Sequence, residues 1–215
     1  LLIDLDAFER NIGRLAQAVA GTPVKLRPHS KSHKCPVIAL RQMKSGAVGV
    51  CCQKVGEAEA MVYGGVPDVL VSNEIVGASK IARLVGLARQ ARVRVCADDA
   101  SNVSALNEAA IACGVRLSVL VEINVGSDRC GVEPGEPALA LAKQIAVSKG
   151  LRFAGLQAYY GAVQHVREYA KRKEGIDRAT EKVRRTLELL HQHGLTCELV
   201  TGAGTGTYQF EASSG

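Results

Sequence analysis

The chain has 215 residues, of which 47% are hydrophobic and 22% are charged, a balance that excludes a disordered protein and is typical of a globular one. Its apolar runs are strand-sized, so we expect no transmembrane helix and no membrane partner. The formal net charge is +6, but only 4% of the residues are aromatic and none is interleaved with a basic cluster, so we expect no nucleic-acid partner.

The seven cysteines are scattered through apolar surroundings without a Cys-x-x-Cys pair. This pattern predicts reduced thiols that pack as small hydrophobic side chains. No positively charged leader precedes an apolar stretch at the start of the sequence. We therefore expect a cytoplasmic protein.

Strand-like runs alternate with helix-like stretches along the chain, the pattern of βαβ units. A first helix is predicted behind Asp6, which we expect to be its cap, with apolar residues at helical spacing through residues 8–19. The predicted strands are residues 24–31, 47–52, 68–72, 92–97, 116–124, 151–159 and 196–201. The predicted helices between them are residues 36–44, 55–63, 79–89, 102–112, 137–148 and 166–193.

No linker rich in proline, glycine or serine divides the sequence, so we interpret residues 1–215 as one domain. Seven parallel strands with intervening helices predict an α/β fold, a TIM-like (β/α)8 barrel that lacks its last strand. The alternative is an open doubly wound sheet, which usually has five or six strands. Because an unclosed barrel leaves two edge strands exposed, we expect the chain to be part of a longer protein.

In a βα barrel the reacting groups come from the carboxyl ends of the strands. The first predicted strand ends in RPHSKSHK, residues 27–34, which brings two lysines and two histidines together. A lysine amine among other cations loses part of its preference for the charged form and becomes able to act as a nucleophile. A solvated basic turn is one alternative, and a metal-dependent barrel hydrolase that uses His29 and His33 is another.

Later strand ends carry further candidates. Arg129 can hold an oxyanion through its planar donors, or it can pair with Asp128. Tyr159 offers a phenol at the end of the next strand, although such a tyrosine often serves only packing. The stretch TGAGTGTY, residues 201–208, has the form of a phosphate-binding loop, but a flexible loop has the same composition. It lacks the GxxxxGK[ST] pattern, which disfavours nucleoside triphosphate hydrolysis.

Several of these segments together resemble one enzyme family. RPHSKSHK is similar to the RPHxKTHK signature of the fold-type III pyridoxal-phosphate enzymes of the D-threonine aldolase and D-serine dehydratase group, which are related to the N-terminal barrel of alanine racemase. Three further segments resemble segments of that group: VEINVGSDRCGV its arginine segment, GLQAYYG its tyrosine segment and TGAGTGTYQFE its glycine loop. GVCCQKVGEAE and DVLVSNEIV also look like bacterial 3-hydroxy-D-aspartate aldolases and their dehydratase relatives.

The resemblance implies that the cofactor is pyridoxal 5'-phosphate and that Lys31 holds it as a Schiff base, with Lys34 as the runner-up. Arg129 is implied to contact the phenolic oxygen of the cofactor, and Tyr159 to line the pocket. The implied cofactor-binding residues are Lys31, Arg129, Tyr159, Gly204, Thr205, Gly206 and Thr207.

The implied reaction is that of a lyase acting on a D-3-hydroxy amino acid, most specifically the aldol cleavage of 3-hydroxy-D-aspartate to glycine and glyoxylate. Dehydration of D-3-hydroxyaspartate or D-serine is the alternative, and a non-catalytic pyridoxal-phosphate carrier is a further one. His29 and Gln53 are additional cofactor-site candidates. The family also has a C-terminal β domain with a His and Cys metal pair, which implies a divalent ion (Mg, Mn or Zn) whose ligands lie outside this sequence. We expect a homodimer.

Overall fold

The computed structural model describes residues 2–214, so Leu1 and Gly215, the two ends of the predicted domain, lie outside the described residues. Six parallel strands form one sheet in which every strand pairs with the next one along the chain. The strands are β1 (Val50–Cys52), β2 (Asp68–Glu74), β3 (Arg92–Ala97), β4 (Leu117–Glu122), β5 (Leu151–Gln157) and β6 (Leu199–Thr201). The sheet curls into a half-barrel, which confirms the α/β class and a barrel that is not complete. Sequential pairing contradicts the doubly wound alternative, in which the strand order reverses.

Helices lie before, between and after the strands; those between the strands cover one face of the sheet, whereas the first helix has no buried residue. They are α1 (Leu5–Ala18), α2 (Pro36–Lys44), α3 (Val55–Tyr63), α4 (Ala78–Leu87), α5 (Ala100–Cys113), α6 (Glu136–Val147), α7 (Tyr169–Gln192) and α8 (Tyr208–Glu211). Two 3-10 turns, Ser30–Ser32 and Ala162–His165, lie in loops at the strand ends. Among the helices of residues 2–214, none combines the length and the apolar character that a membrane span needs.

The strands are buried on both faces, as all six residues of β4 illustrate. Alternate side chains point to opposite faces of a strand, so one set packs under the helices and the other lines the inside of the half-barrel. The inner layer consists of Cys51, Leu70, Cys96, Leu120 and Ala154. All seven cysteines are free thiols and three of them are buried, which confirms that they are unpaired.

The first predicted strand, residues 24–31, is wrong. The segment runs beside β1 and accepts backbone hydrogen bonds at Leu26 and Pro28, but it forms only one isolated bridge, between His29 and Cys51. Proline has no N–H with which to continue a ladder, and Ser30–Ser32 already turns as a 3-10 helix. The structure therefore has six ladder strands where the sequence pattern predicted seven.

Two further expectations about local structure need correction. The cap of α1 is Asp4, whose carboxylate accepts the Ala7 N–H at 2.9 Å, and not Asp6, which lies in the first turn of the helix. The last predicted strand, residues 196–201, is reduced to Leu199–Thr201. The short helix α8 was not predicted at all.

Gly155 marks the place where β5 departs from regular geometry. The register between β4 and β5 passes from Val119–Phe153 to Leu120–Gly155, which leaves one extra residue in β5, a β-bulge. Gly155 has φ +141°, and a Cβ there would overlap the carbonyl oxygen of Leu199 on β6.

We expect Gly155→Ala to lower the free energy of unfolding by more than about 1 kcal/mol, because alanine is strained at this φ and would push β6 away from β5. Urea denaturation measures the change. Gly13→Ala is the matched control, since Gly13 lies in α1 with nothing within 4 Å of a new Cβ. This control should raise stability by about 0.5–1 kcal/mol. Equal stability of Gly155→Ala and the parent protein would contradict the assignment of the bulge.

Candidate active site

Each candidate segment lies at the carboxyl edge of the half-barrel. Lys31 follows the extended segment beside β1, Arg129 lies in the loop after β4, and Tyr159 follows β5. The glycine loop, residues 202–207, follows β6. Because the strands are parallel, these loops emerge from the same edge of the sheet. Within residues 2–214, no hydrogen bond or ion pair joins Lys31 to Arg129 or to the glycine loop.

Lys31 lies in a turn whose neighbouring residue is anchored to β1, while the Lys31 side chain is exposed. The buried Ser30 hydroxyl donates to the Cys51 carbonyl at 2.9 Å, which fixes the turn to β1. Within residues 2–214, no carboxylate lies within ion-pair distance of the Lys31 amine, whereas Lys34 Nζ is 3.8 Å from Glu57. Of the two lysines in the motif, Lys31 therefore has the uncommitted amine.

His29 supports the Lys31 backbone as a neutral ring. Its Nδ1 accepts the Lys31 N–H at 3.2 Å, and its Nε2 lies 3.3 Å from the Ser72 hydroxyl. Burial, helped by the positive charge of Lys31, lowers the pKa of His29 to about 4. Because Nδ1 accepts a hydrogen bond, the neutral ring carries its proton on Nε2 and donates it toward Ser72.

The metal interpretation of His29 and His33 gains no support from the geometry. His33 Nδ1 accepts the Cys35 N–H at 3.0 Å, so the Nδ1 atoms of both histidines are committed to backbone donors. Burial lowers the pKa of His33 below its ordinary value. Among residues 2–214, the one group of three side chains placed to share a metal ion contains neither histidine.

Arg129 is held between an acid and an aromatic ring. Its Nη2 lies 3.4 Å from Glu122 Oε1, and its guanidinium carbon lies 5.7 Å from the centre of the Tyr159 ring. Asp128, the alternative partner, instead accepts a hydrogen bond from Asn124. The structure thus brings Arg129 and Tyr159 together along one cleft.

Two neighbouring acids, the buried Glu122 and the half-buried Glu74, were missed by sequence reasoning. Glu74 and Glu122 are the last residues of β2 and β4, and Glu122 is only 3% exposed. Burial, together with the negative charge of Glu122, raises the pKa of Glu74 to about 7. A carboxylate at the end of the apolar run LSVLVE was the available signal, because buried acids are rare without a partner.

The glycine loop is held by two side chains that sequence reasoning also missed. The Gly206 N–H donates to Gln164 Oε1 at 2.9 Å, and the Ala203 N–H donates to Glu211 Oε1 at 2.9 Å. The buried Thr207 hydroxyl donates to Glu211 at 2.6 Å and accepts from Gln164 Nε2 at 2.6 Å. A Cβ at Gly204 would displace the Gln164 amide that holds the loop.

The remaining positions of the loop face outward. Thr205 and Gly206 are exposed, and because the Gly206 N–H is bonded to Gln164, the Thr205 N–H and hydroxyl are the donors left open to a ligand there. Gln53 is exposed as well, and its N–H donates to Glu57. The donor set along the edge is therefore an amine, a guanidinium, a phenol and exposed glycine-rich main chain, which suits an anionic molecule.

Comparison with known proteins assigns the family. The profile of the family described as alanine racemase, N-terminal domain, matches residues 3–214. The chain belongs to this family. It is 46% identical over 215 residues to a D-threonine aldolase of Arthrobacter sp. and 44% identical over 217 residues to a 3-hydroxy-D-aspartate aldolase of Paracoccus denitrificans. All of the chain is covered in both cases, but only 57% and 56% of those proteins, so it spans little more than half the length of these curated relatives.

Solved structures agree with this assignment. A D-threonine aldolase from Filomicrobium marinum superposes with a TM-score of 0.98 at 53% identity, covering 99% of this chain and 58% of that one. An alanine racemase of Clostridium difficile superposes with a TM-score of 0.83 at 14% identity, covering 95% of this chain and 55% of that one, and at this identity the likeness concerns the fold alone. The family resemblance read from the motifs is confirmed.

The neutral state of His29 predicts a pH effect on stability. Between about pH 4 and pH 6.5 the unfolded chain binds a proton at this histidine that the folded chain does not, so the free energy of unfolding falls as the pH is lowered through this window. We expect His29→Asn to lose part of this pH dependence in urea denaturation series. Ser32→Asn, an exposed neutral position in the same turn, should keep the parent slope. Identical slopes in His29→Asn and the parent protein would contradict the role of His29.

Proposed function

We propose that this chain is the cofactor-binding barrel of a pyridoxal-phosphate-dependent lyase that cleaves D-3-hydroxy amino acids as an aldolase. The observation that carries the proposal is an uncommitted lysine amine on the same strand-end edge as an arginine–tyrosine pair and a glycine loop. Its support comes from relatives at 40–46% identity that are named D-threonine aldolase and 3-hydroxy-D-aspartate aldolase.

The side chains present suit the cofactor. Pyridoxal phosphate, when bound, supplies an electron sink for charge that develops at the α carbon of an amino acid. Three of its polar groups require an amine for the aldehyde, a cationic donor for the phenolic oxygen and anion-binding main chain for the phosphate. Lys31, Arg129 and the glycine loop with Gly204, Thr205, Gly206 and Thr207 are the groups of this chain that match those needs.

Lys31 is preferred to Lys34 because of its surroundings. Its amine has no acidic partner within residues 2–214, and its backbone is fixed by His29 and by the neighbouring Ser30. Lys34 pairs with Glu57 and has a left-handed backbone, φ 49°. An amine that must form a covalent bond needs to reach the neutral state, and an ion pair with a carboxylate opposes that.

Glu122 and Tyr159 position Arg129 in this proposal. The ion pair limits the rotation of the guanidinium, and the ring of Tyr159 covers one of its faces. A guanidinium held in this way can stabilise a phenolate oxygen through charge-assisted hydrogen bonds. Tyr159 lines the same cleft as Arg129.

For the substrate we propose 3-hydroxy-D-aspartate, cleaved to glycine and glyoxylate. The formal net charge of +6 and the cationic side chains at the carboxyl edge favour a substrate with two carboxylates. Dehydration is a second candidate, because the chain is 26% identical over 211 residues to a D-threo-3-hydroxyaspartate dehydratase of Delftia sp.. One solved structure of that dehydratase is described as a metal-free form, which supports a divalent ion in the whole protein, with ligands outside this sequence.

Further proposals concern the whole protein. We place residues 1–215 as one cofactor-binding domain of a longer chain that acts as a homodimer. The unpaired cysteines support a reducing compartment, so we place the protein in the cytoplasm.

The covalent attachment of the cofactor to Lys31 is tested on the full-length protein. We expect a visible absorbance band that borohydride abolishes, and peptide mapping should find the reduced adduct on Lys31. Lys31→Ala should lose the band and the activity, whereas the matched control Lys34→Ala should keep the band. An adduct on Lys34 or on another lysine would overturn the assignment of Lys31.

The substrate proposal is tested by product analysis with a divalent metal present. We expect the full-length protein to release glyoxylate from 3-hydroxy-D-aspartate, with a higher kcat/KM than for acetaldehyde release from D-threonine, and chelation of the metal should abolish both reactions. Release of oxaloacetate in place of glyoxylate would show that the protein is a dehydratase and not an aldolase. A protein that holds the cofactor on Lys31 but yields no product would be a carrier.

A further inference from the structure

A second cluster of reactive side chains lies inside the half-barrel, apart from Lys31 and the glycine loop. Carboxylate oxygens of Glu74 and Glu122 and the Cys130 Sγ all lie within 4.8 Å of one another. Glu74 ends β2, Glu122 ends β4, and Cys130 lies in the loop that follows β4. Glu74 is distant in sequence from the other two residues, and the fold brings the three together above the inner apolar layer.

Unpartnered oxygens point to a ligand at this cluster. Glu122 is 3% exposed, and Gln157, its direct register partner on β5, is 6% exposed. Within residues 2–214, Glu74 Oε1, Glu122 Oε2 and Gln157 Oε1 are buried without a hydrogen-bond partner. Paired residues on neighbouring strands present their side chains on the same face of the sheet, so the Gln157 amide belongs to the same layer as Glu122. A buried oxygen without a partner costs free energy unless an ion or water satisfies it.

The charge balance of the cluster is negative. The half-buried Glu74 and the buried Glu122 lie side by side, and Asp98, which accepts the Gly131 N–H at 2.9 Å, adds a third acid close to Glu74. Of these acids, Arg129 pairs with Glu122 at 3.4 Å, and its side chain is 55% exposed. One partly solvated guanidinium does not offset this charge, whereas a dication inside the cluster would neutralise Glu74 and Glu122 together.

We propose that Glu74, Glu122 and Cys130 bind a divalent cation of the zinc class, with the side-chain oxygen of Gln157 as a fourth ligand. The thiolate and the two carboxylates are ligands that zinc takes, whereas magnesium and calcium prefer all-oxygen sites. Binding converts the Cys130 thiol to a thiolate and releases its proton to solvent. The ion ties the ends of β2 and β4 to the loop that carries Arg129. It is separate from the metal whose ligands lie outside this sequence.

The test uses the full-length protein after chelation and without added cofactor. Co²⁺ titration should produce a thiolate-to-cobalt charge-transfer band and release protons. Cys130→Ser should lose the part of the band that depends on this site, and the matched control Cys113→Ser, half-buried at the end of α5, should keep the full band. Glu74→Gln should weaken Co²⁺ binding by about tenfold or more. Thermal unfolding checks that each variant is folded.

A second measurement needs no variant. Zn²⁺ should protect Cys130 of the parent protein from iodoacetamide, as read residue by residue by mass spectrometry. Alkylation of Cys130 at an unchanged rate, or a cobalt–thiolate band that Cys130→Ser leaves intact, overturns the proposal. Infrared spectra that show a proton shared between Glu74 and Glu122 in the presence of saturating Zn²⁺ overturn it as well, because the carboxyl pair is then neutralised without an ion.

Discussion

The parallel pairing of each strand with the next one along the chain is the constraint on which the candidate site depends. It forces every strand to end at the same edge, so side chains more than 150 residues apart, such as Lys31 and Thr205, are carried to one side of the molecule. The register then decides which side chains share the inside of the half-barrel. Glu122 and Gln157 meet there because β4 and β5 pair them directly, past the bulge at Gly155.

Local patterns in the sequence were sufficient for most of the fold. The predicted bounds of α2, α3 and β3 match the structure, because proline, glycine and helical spacing mark their ends clearly. The prediction of a strand at residues 24–31 failed for a reason that lies in the tertiary structure. Their β-branched and apolar start suggests a strand, but Pro28 interrupts the ladder, and whether a strand forms depends on pairing with a neighbour that local patterns do not describe.

The candidate site was also predictable only in part from the sequence. Arg129, Tyr159 and the glycine loop follow strands, and Lys31 follows the extended segment beside β1, so their placement at one edge was predictable from the alternation of elements. The residues that hold them in place were not. Gln164 donates a hydrogen bond to Thr207, 43 positions later in the sequence. A contact between residues so far apart does not produce a periodic pattern in the sequence. Supporting contacts of this kind become visible only when the tertiary structure is known.

The buried acids illustrate how a local conflict can mark a functional region. An apolar strand that ends in a carboxylate, as β4 does at Glu122, is unfavourable by itself because the charge loses its water. The cost is offset only by partners brought by other elements, here Arg129 and the neighbouring oxygens of the half-barrel. A carboxylate that the fold keeps in such a place is therefore supported by its surroundings. The inside of the carboxyl edge thus combines an apolar floor with a polar rim that leaves charged groups within reach of a ligand.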